Sequence, residues 1–167
     1  MSYSKKKGYR QLRKGRSSVP EAFYLLTTTH NRTPILTKDS IAQIIFDAFE
    51  WLETKERIRW YCIMIMPDHL HAIIQLRTQH TLPDIMHTLK RFTARQINKL
   101  LKQEGTFWQD GYHDTGIRGE AALNEMIRYC YGNPVRKGLV EVARDYPYWR
   151  CKFEMEVSGL ETPPTSS

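Results

Sequence analysis

The sequence predicts an α+β fold in which helices pack on one face of an antiparallel, ferredoxin-like sheet of βαββαβ order. Segments with strand-like and helix-like patterns alternate as strand, helix, strand, strand, helix and strand, and one further helix follows. The chain has 167 residues, of which 41% are hydrophobic, and this is enough for one domain with a buried core. The order of the predicted elements and the length of the chain together favour a single domain.

The first half of the predicted sheet comes from three strands and the helix between the first two. Residues 22–29 are aromatic, aliphatic and β-branched, which favours a strand. Thr37 is a candidate N-cap for a helix whose apolar residues recur at helical spacing to about residue 54. Residues 58–66 and 69–76 then favour two strands joined by a Pro-Asp turn. We expect these two strands to form a hairpin, with the later one central in the sheet.

The second half contains two helices and a weaker strand. A long helix is predicted over 83–105, with a proline at its start and a glycine at its end. The segment 107–109 is the candidate for a short fourth strand, and a weak extended piece follows it to residue 118. A third helix is predicted over 119–132. Asn133-Pro134 is expected to end it, because a residue before proline disfavours the helical conformation.

The charge distribution predicts a basic arm in front of a nearly neutral domain. The net charge is +7, and seven Lys and Arg residues without any acidic residue lie within 1–16. We therefore expect an arm at 1–20, a main domain at 21–150 and a polar C-terminal tail at 151–167. A basic arm suits a polyanionic partner, although a tail that only increases solubility would have the same composition.

Cysteine spacing and hydropathy exclude two classes of protein. Cys62, Cys130 and Cys151 show no Cys-x-x-Cys spacing, so we expect reduced, buried thiols rather than a disulfide framework or a zinc site. No apolar run is long enough to span a bilayer, and no signal peptide opens the chain. These features favour a cytoplasmic protein without a membrane partner.

Two histidines stand at the start of the third predicted strand. Because side chains alternate along a strand, His69 and His71 share one face, and apolar residues occupy the other. Neutral imidazoles on one face can hold a divalent metal ion and leave coordination positions for a substrate. The same pair can also be a structural feature of a half-exposed strand, so its meaning depends on the rest of the chain.

The third predicted helix carries a tyrosine and an asparagine one turn apart. Tyr129 and Asn133 share a face, whereas Tyr131 points about 200° away. In one interpretation a metal ion on the histidine pair assists attack of Tyr129 on a phosphodiester, and Asn133 adds an oxygen ligand. In the other interpretation Tyr129 packs against the sheet and Asn133 caps the helix.

The second long helix carries a row in which every charge is positive. Arg91, Arg95 and Lys99 recur every four residues, and Lys90 lies beside them. Such a row is either a solvated helix face or a contact surface for the phosphates of a nucleic acid.

Four motifs, taken in this order, resemble those of the HUH single-tyrosine transposases. Residues 67–71 are similar to the His-hydrophobic-His motif of that family, and 89–99 resemble its long basic helix. Residues 107–114 resemble its Trp-Gln strand and turn, and 129–140 resemble its tyrosine helix, where the tyrosine precedes Asn-Pro-Val by four residues. The ending Asn-Pro-Val, a basic residue, any residue and Gly, at 133–138, and the basic arm point to the REP-associated tyrosine transposases within the family.

The resemblance covers about residues 10 to 150 and implies a metal-dependent transposase that cleaves and rejoins DNA, with 21–150 as the catalytic domain. Tyr129 would attack and keep the 5′-phosphate as a phosphotyrosine, and Mg²⁺ or Mn²⁺ would bind His69, His71 and Asn133. The partner would be single-stranded or hairpin DNA from repetitive elements, bound at the nucleoid by a monomer or a homodimer. The implied DNA contacts are Arg13, Lys14, Arg16, Lys90, Arg91, Arg95 and Lys99.

Two other functions and one departure accompany this resemblance. An RRM-like module would bind nucleic acid without catalysis, and a metal-dependent nuclease could use water instead of Tyr129. An RRM-like sheet presents stacking aromatic residues where this strand offers His69 and His71, which favours an enzyme. The departure is Gly132, where a helix-favouring residue is more usual, and we expect it to loosen the helix just before Asn133.

Overall fold

The computed structural model describes residues 23–30, 33–77 and 79–153. The predicted arm and nearly all of the predicted tail lie outside these residues. Within them the chain forms one antiparallel sheet and three α-helices, which confirms the predicted α+β class. None of these helices is both long enough and apolar enough to cross a membrane.

Five strands form the sheet, in the order β4-β1-β3-β2-β5. They are β1 (Phe23–Thr29), β2 (Ile58–Ile65), β3 (His69–Leu76), β4 (His113–Ile117) and β5 (Trp149–Cys151). The helices are α1 (Asp39–Thr54), α2 (Leu82–Leu101) and α3 (Glu120–Arg136). The strand that carries the histidines is central, as predicted.

The two faces of β3 belong to different apolar clusters. Leu70 and Ile74 join the large core beneath α1 and α2. Ile73, on the opposite face, packs with Ile127 and Cys130 of α3 in a smaller cluster. The sequence placed helices on one face and left the other open, but α3 in fact packs on the face that carries the histidines.

The fourth strand is His113–Ile117, so the prediction of a strand at 107–109 was wrong. Phe107 and Trp108 are both buried in the core under α1 and α2, and Trp108 forms only an isolated bridge with His30. A strand would send two consecutive side chains to opposite faces. Burial of both aromatic rings in one core therefore excludes regular pairing here, and the weaker extended piece that follows pairs with β1.

Helix α3 continues through Asn133 and Pro134 to Arg136, which corrects the predicted end at residue 132. Proline removes one backbone donor and restricts the residue before it. Near the end of a helix this loss is small, and both residues are buried, so packing outweighs the local preference. Asn133 is thus not the cap, which is Lys137, and Gly132 does not interrupt the helix.

β5 was not predicted, because three residues are too few to show a period. It pairs with β2 and places Cys151 opposite Cys62, with their sulfur atoms 2.7 Å apart. Both thiols are free, as is that of Cys130; Cys62 and Cys130 are buried as predicted, whereas Cys151 is only partly buried. Since β5 spans 149–151, it crosses the boundary that the sequence suggested between main domain and tail.

Candidate active site

Neighbouring oxygen atoms orient both rings of the histidine pair. Thr27 of β1 pairs in register with His71, and its Oγ1 lies 2.7 Å from His71 Nδ1. Asp68, in the turn before β3, places Oδ1 2.7 Å from His69 Nδ1. Because both Nδ1 atoms have oxygen partners, each ring has its Nε2 remaining to bind a ligand. The sequence analysis assigned neither residue this role. The contact of Thr27 depends on cross-strand register, a tertiary property, whereas Asp68 directly precedes His69 and was taken only as a turn residue.

The two rings are close together and differ in their surroundings. Their centroids are 4.9 Å apart, with the planes at 82°. Burial lowers the pKa of His71 to about 4, and the nearby charges of His69 and Arg136 act in the same direction. His71 is therefore neutral near pH 7, which is the form in which imidazole binds a metal ion.

Helix α3 brings Tyr129 beside this pair. The centroid of its ring lies 6.0 Å from that of His71, and the side chain is 46% exposed. Asn133 lies one turn further on and is buried. Tyr131 points away into the protein, where its ring lies 5.4 Å from that of Trp149. The helical period thus predicted correctly that Tyr129, and not Tyr131, lies beside the histidine pair.

A metal ion at this place would have to rely on nitrogen and amide oxygen ligands. Within the described ranges, no group of three or more His, Cys, Asp or Glu side chains converges in a way that could hold an ion. Among the same residues, the amide nitrogen of Asn133 is buried without a hydrogen-bond partner. A buried polar group without a partner costs about 1–3 kcal/mol. That nitrogen is a donor and cannot itself bind a cation. The paired imidazoles of His69 and His71 suit a divalent ion, and the oxygen of the Asn133 amide is the third ligand that the resemblance implies.

Arg136 lies over Tyr129, and the sequence analysis assigned it no role at the site. Its guanidinium carbon is 4.6 Å from the centroid of the tyrosine ring, and Nη2 donates to the Tyr129 carbonyl oxygen. The two residues are seven apart, or two helical turns, so periodicity places them on one side without indicating contact. The signal that could have suggested it is the glycine between them, at position 132.

The positive row lies far from this cluster in the fold, because α2 and α3 pack on opposite faces of the sheet. Arg91, Arg95 and Lys99 are exposed. Lys90 differs, since its Nζ donates to the carbonyl oxygens of Gln109 and Gly111 at 2.6 and 2.8 Å, and burial lowers its pKa. It therefore anchors the segment before β4. Arg13, Lys14 and Arg16 lie outside the described residues.

Comparison with known proteins gives a family match over most of the chain. Residues 22–131 match the family model described as "Transposase IS200 like". A curated protein of Haemophilus influenzae, named "Putative REP-associated tyrosine transposase", is 34% identical over 96 residues, which make up 52% of this chain and 54% of that protein. The chain therefore spans about half the length of the curated relative that it matches.

Two solved structures share the fold. One is the structure of a REP-associated tyrosine transposase bound to a REP hairpin, with a TM-score of 0.68 at 18% identity, covering 79% of this chain and 78% of that one. The other is a "putative transposase" from Deinococcus radiodurans, with a TM-score of 0.51 at 26% identity, covering 70% and 93%. Together with the family match, these similarities confirm the resemblance that the four motifs suggested.

Proposed function

This chain belongs to the IS200-like transposase family, and on that premise we propose that it cleaves and rejoins DNA through a covalent bond between Tyr129 and a 5′-phosphate. The observation that carries the proposal is the exposed Tyr129 ring 6.0 Å from that of buried His71. Phosphoryl transfer depends on positioning and on stabilising charge, and a tyrosine on a packed helix beside oriented imidazoles offers both.

In the proposed reaction the Tyr129 oxygen attacks phosphorus, and the bond from phosphorus to the 3′-oxygen breaks. The products are a free 3′-hydroxyl and a phosphotyrosine that holds the 5′ end. Because the ester is retained, a 3′-hydroxyl can reverse the step without ATP. His69, His71 and Asn133 would hold Mg²⁺ or Mn²⁺, whose chemistry there is to polarise the phosphodiester and stabilise the leaving oxygen.

We infer that the substrate is single-stranded or hairpin DNA. A solved structure with the same fold contains a REP hairpin. The exposed Arg91, Arg95 and Lys99 are suited to phosphate contacts, and Arg13, Lys14 and Arg16 of the arm would add to them. Lys90 would contribute less, since its ammonium already donates to two carbonyl groups. Such an enzyme would act at the nucleoid in the cytoplasm, as a monomer or a homodimer.

One observation favours a second candidate, a module that binds single strands on the sheet. Phe23, Tyr61 and Phe153 form a row, with ring centroids 5.3 and 5.2 Å apart along it. Phe23 pairs with Gln75 and so shares the sheet face of His71. Aromatic rows of this kind can stack bases without any catalysis. A covalent adduct would distinguish the transposase from this module and also from a nuclease that uses water.

The test is trapping of that adduct. Wild-type protein is incubated with a 3′-labelled hairpin oligonucleotide and Mg²⁺ or Mn²⁺, and the products are separated under denaturing conditions. We expect labelled protein from the wild type and none from Tyr129→Phe, which removes one oxygen and keeps the ring. Tyr131→Phe is the matched control and should form the adduct normally. An adduct on Tyr131, or cleavage by Tyr129→Phe at the wild-type rate, would contradict the assignment.

A further inference from the structure

The guanidinium of Arg136 rests on the surface of α3 at Gly132 and covers the ring of Tyr129. Arg136 Nη2 donates to the main-chain carbonyl of Tyr129, and its guanidinium carbon lies 4.6 Å from the ring centroid. One side chain thus contacts both the backbone and the ring of the same residue. Ring and guanidinium are therefore held as one unit.

Gly132 is the residue that makes room for this contact. A Cβ atom built at Gly132 would lie 2.8 Å from Arg136 Nη1, which is closer than side chains tolerate. Position 132 is inside the continuous helix α3, so the backbone does not require glycine there. Glycine inside a helix costs about 0.5–1 kcal/mol relative to alanine. The helix therefore carries this cost at the same position where the Arg136 guanidinium lies against it.

Tyr129 needs such support because it is exposed. Packing restrains a buried ring, but nearly half of this side chain is open to solvent. Among the described residues, the Tyr129 ring meets the His71 ring edge-on and the Arg136 guanidinium over its face. A planar guanidinium that is fixed at one end can restrain a ring in a way that a flexible ammonium cannot.

We propose that Arg136 is a positioning residue for the nucleophile, and that Gly132 is required because it seats the guanidinium against the Tyr129 ring. The inference rests on the proposed role of Tyr129. Arg136 would act through that tyrosine, holding its oxygen toward the histidine side of the site. DNA binding and folding would not depend on it.

The test compares four variants: Arg136→Ala, Gly132→Ala, the double variant and Arg128→Ala. Arg128 is an exposed arginine of the same helix, so its removal is the matched control for lost charge. The measurements are the single-turnover rate of adduct formation at saturating DNA, the Kd for DNA, and the Tm. Gly132→Ala is the critical variant, because it displaces the guanidinium without removing any charge.

We expect Arg136→Ala and Gly132→Ala each to slow adduct formation by about 10- to 100-fold, the size of a small misplacement of a reacting group. Kd should stay within about twofold, and the double variant should be no slower than Arg136→Ala, since both changes remove one contact. Arg128→Ala should react at the wild-type rate. Gly132→Ala should keep or raise Tm, because alanine favours the helix, so unfolding cannot explain its slow reaction.

Arg136→Lys provides a second readout that separates orientation from charge. It keeps the charge but loses the flat contact, and we expect it to recover at most a small part of the rate. A wild-type rate in Gly132→Ala, or full recovery in Arg136→Lys, would overturn the positioning role while leaving Tyr129 as the nucleophile. If the wild type forms no adduct on Tyr129, the proposed function fails and this inference fails with it.

Discussion

The face of β3 under α1 and α2 is entirely apolar, whereas the face toward α3 carries both histidines. The inward residues of the first face are at most 1% exposed; they are Leu70, Ala72, Ile74 and Leu76. Among the residues that the structure describes, they belong to a core of 24 buried residues, and the cluster on the other face has eight. One face of β3 therefore contributes most of the hydrophobic packing. The other face can carry the polar histidines, which serve the chemistry of the site rather than stability.

The largest effect is expected from a change on the polar face. His71→Ala should lower the rate of DNA cleavage by about 10³-fold or more, because several kcal/mol of transition-state stabilisation would be lost. The free energy of unfolding should change little. Gel assays of cleavage and urea denaturation measure the two quantities. Cleavage by the variant at the wild-type rate in the presence of a chelator would contradict the metal site.

Truncation of a side chain on the apolar face should mainly lower the free energy of unfolding rather than the rate of cleavage. Ile74→Ala should reduce the free energy of unfolding by about 2–5 kcal/mol, since it removes buried methyl groups and leaves a cavity in the larger core. Its matched control is Ile73→Ala, which truncates the preceding residue, also fully buried but on the α3 side. Urea denaturation should give a smaller loss for Ile73→Ala. Equal losses would show that the two faces contribute equally to stability.

An intermediate effect is expected where β1 supports the polar face. Thr27→Val preserves shape but removes the oxygen 2.7 Å from His71 Nδ1. We expect Mn²⁺ affinity, measured by titration calorimetry, to fall by about 10- to 100-fold, as is usual when the partner of a ligating histidine is lost. Thr28→Val is the control on the opposite face. The Thr28 hydroxyl is buried without a partner in the described part of the chain, so that change should leave affinity unaltered.

The smallest effect is expected on the outer surface of α2. Replacing Arg91 and Arg95 with Ala should weaken binding of hairpin DNA and reduce the slope of log Kd against log salt by about 1 to 2, because fewer counterions are released. Fluorescence anisotropy over a series of salt concentrations measures this slope. Lys38→Ala with Lys55→Ala removes two exposed cations at the ends of α1 and should leave the slope unchanged. Identical slopes in both double variants would exclude a specific contact on α2.

The sequence was most informative where a regular period decides the answer. Alternation placed His69 and His71 on one face of a central strand, and helical spacing separated Tyr129 from Tyr131. It failed where tertiary packing overrides local preference. Helix α3 continues through Pro134 because the residues there are buried. The aromatic residues at 107–108 have the apolar pattern of a strand, but they pack in the core without regular strand pairing.

The supporting contacts could not be predicted, for a different reason. Thr27 meets His71 only because β1 and β3 pair in one particular register. Lys90 has a helical spacing close to that of its exposed neighbours, yet it turns to the carbonyl groups of a loop about twenty residues away. Such partners depend on distances between elements, which a pattern along one element does not contain.

The lengths of the strands have a consequence for behaviour at high concentration. In the described part of the chain, the two longest strands, β2 and β3, have eight residues each and are paired on both sides, whereas β4 and β5 at the edges have five and three. Unpaired backbone groups on a long edge strand invite other chains to add to a sheet. Among these residues the edges are short, and the side chains of Arg150 and Lys152 at one of them are turned to α1, where they contact Phe46 and Glu53. The described part of the sheet therefore offers only short edges for pairing with another chain.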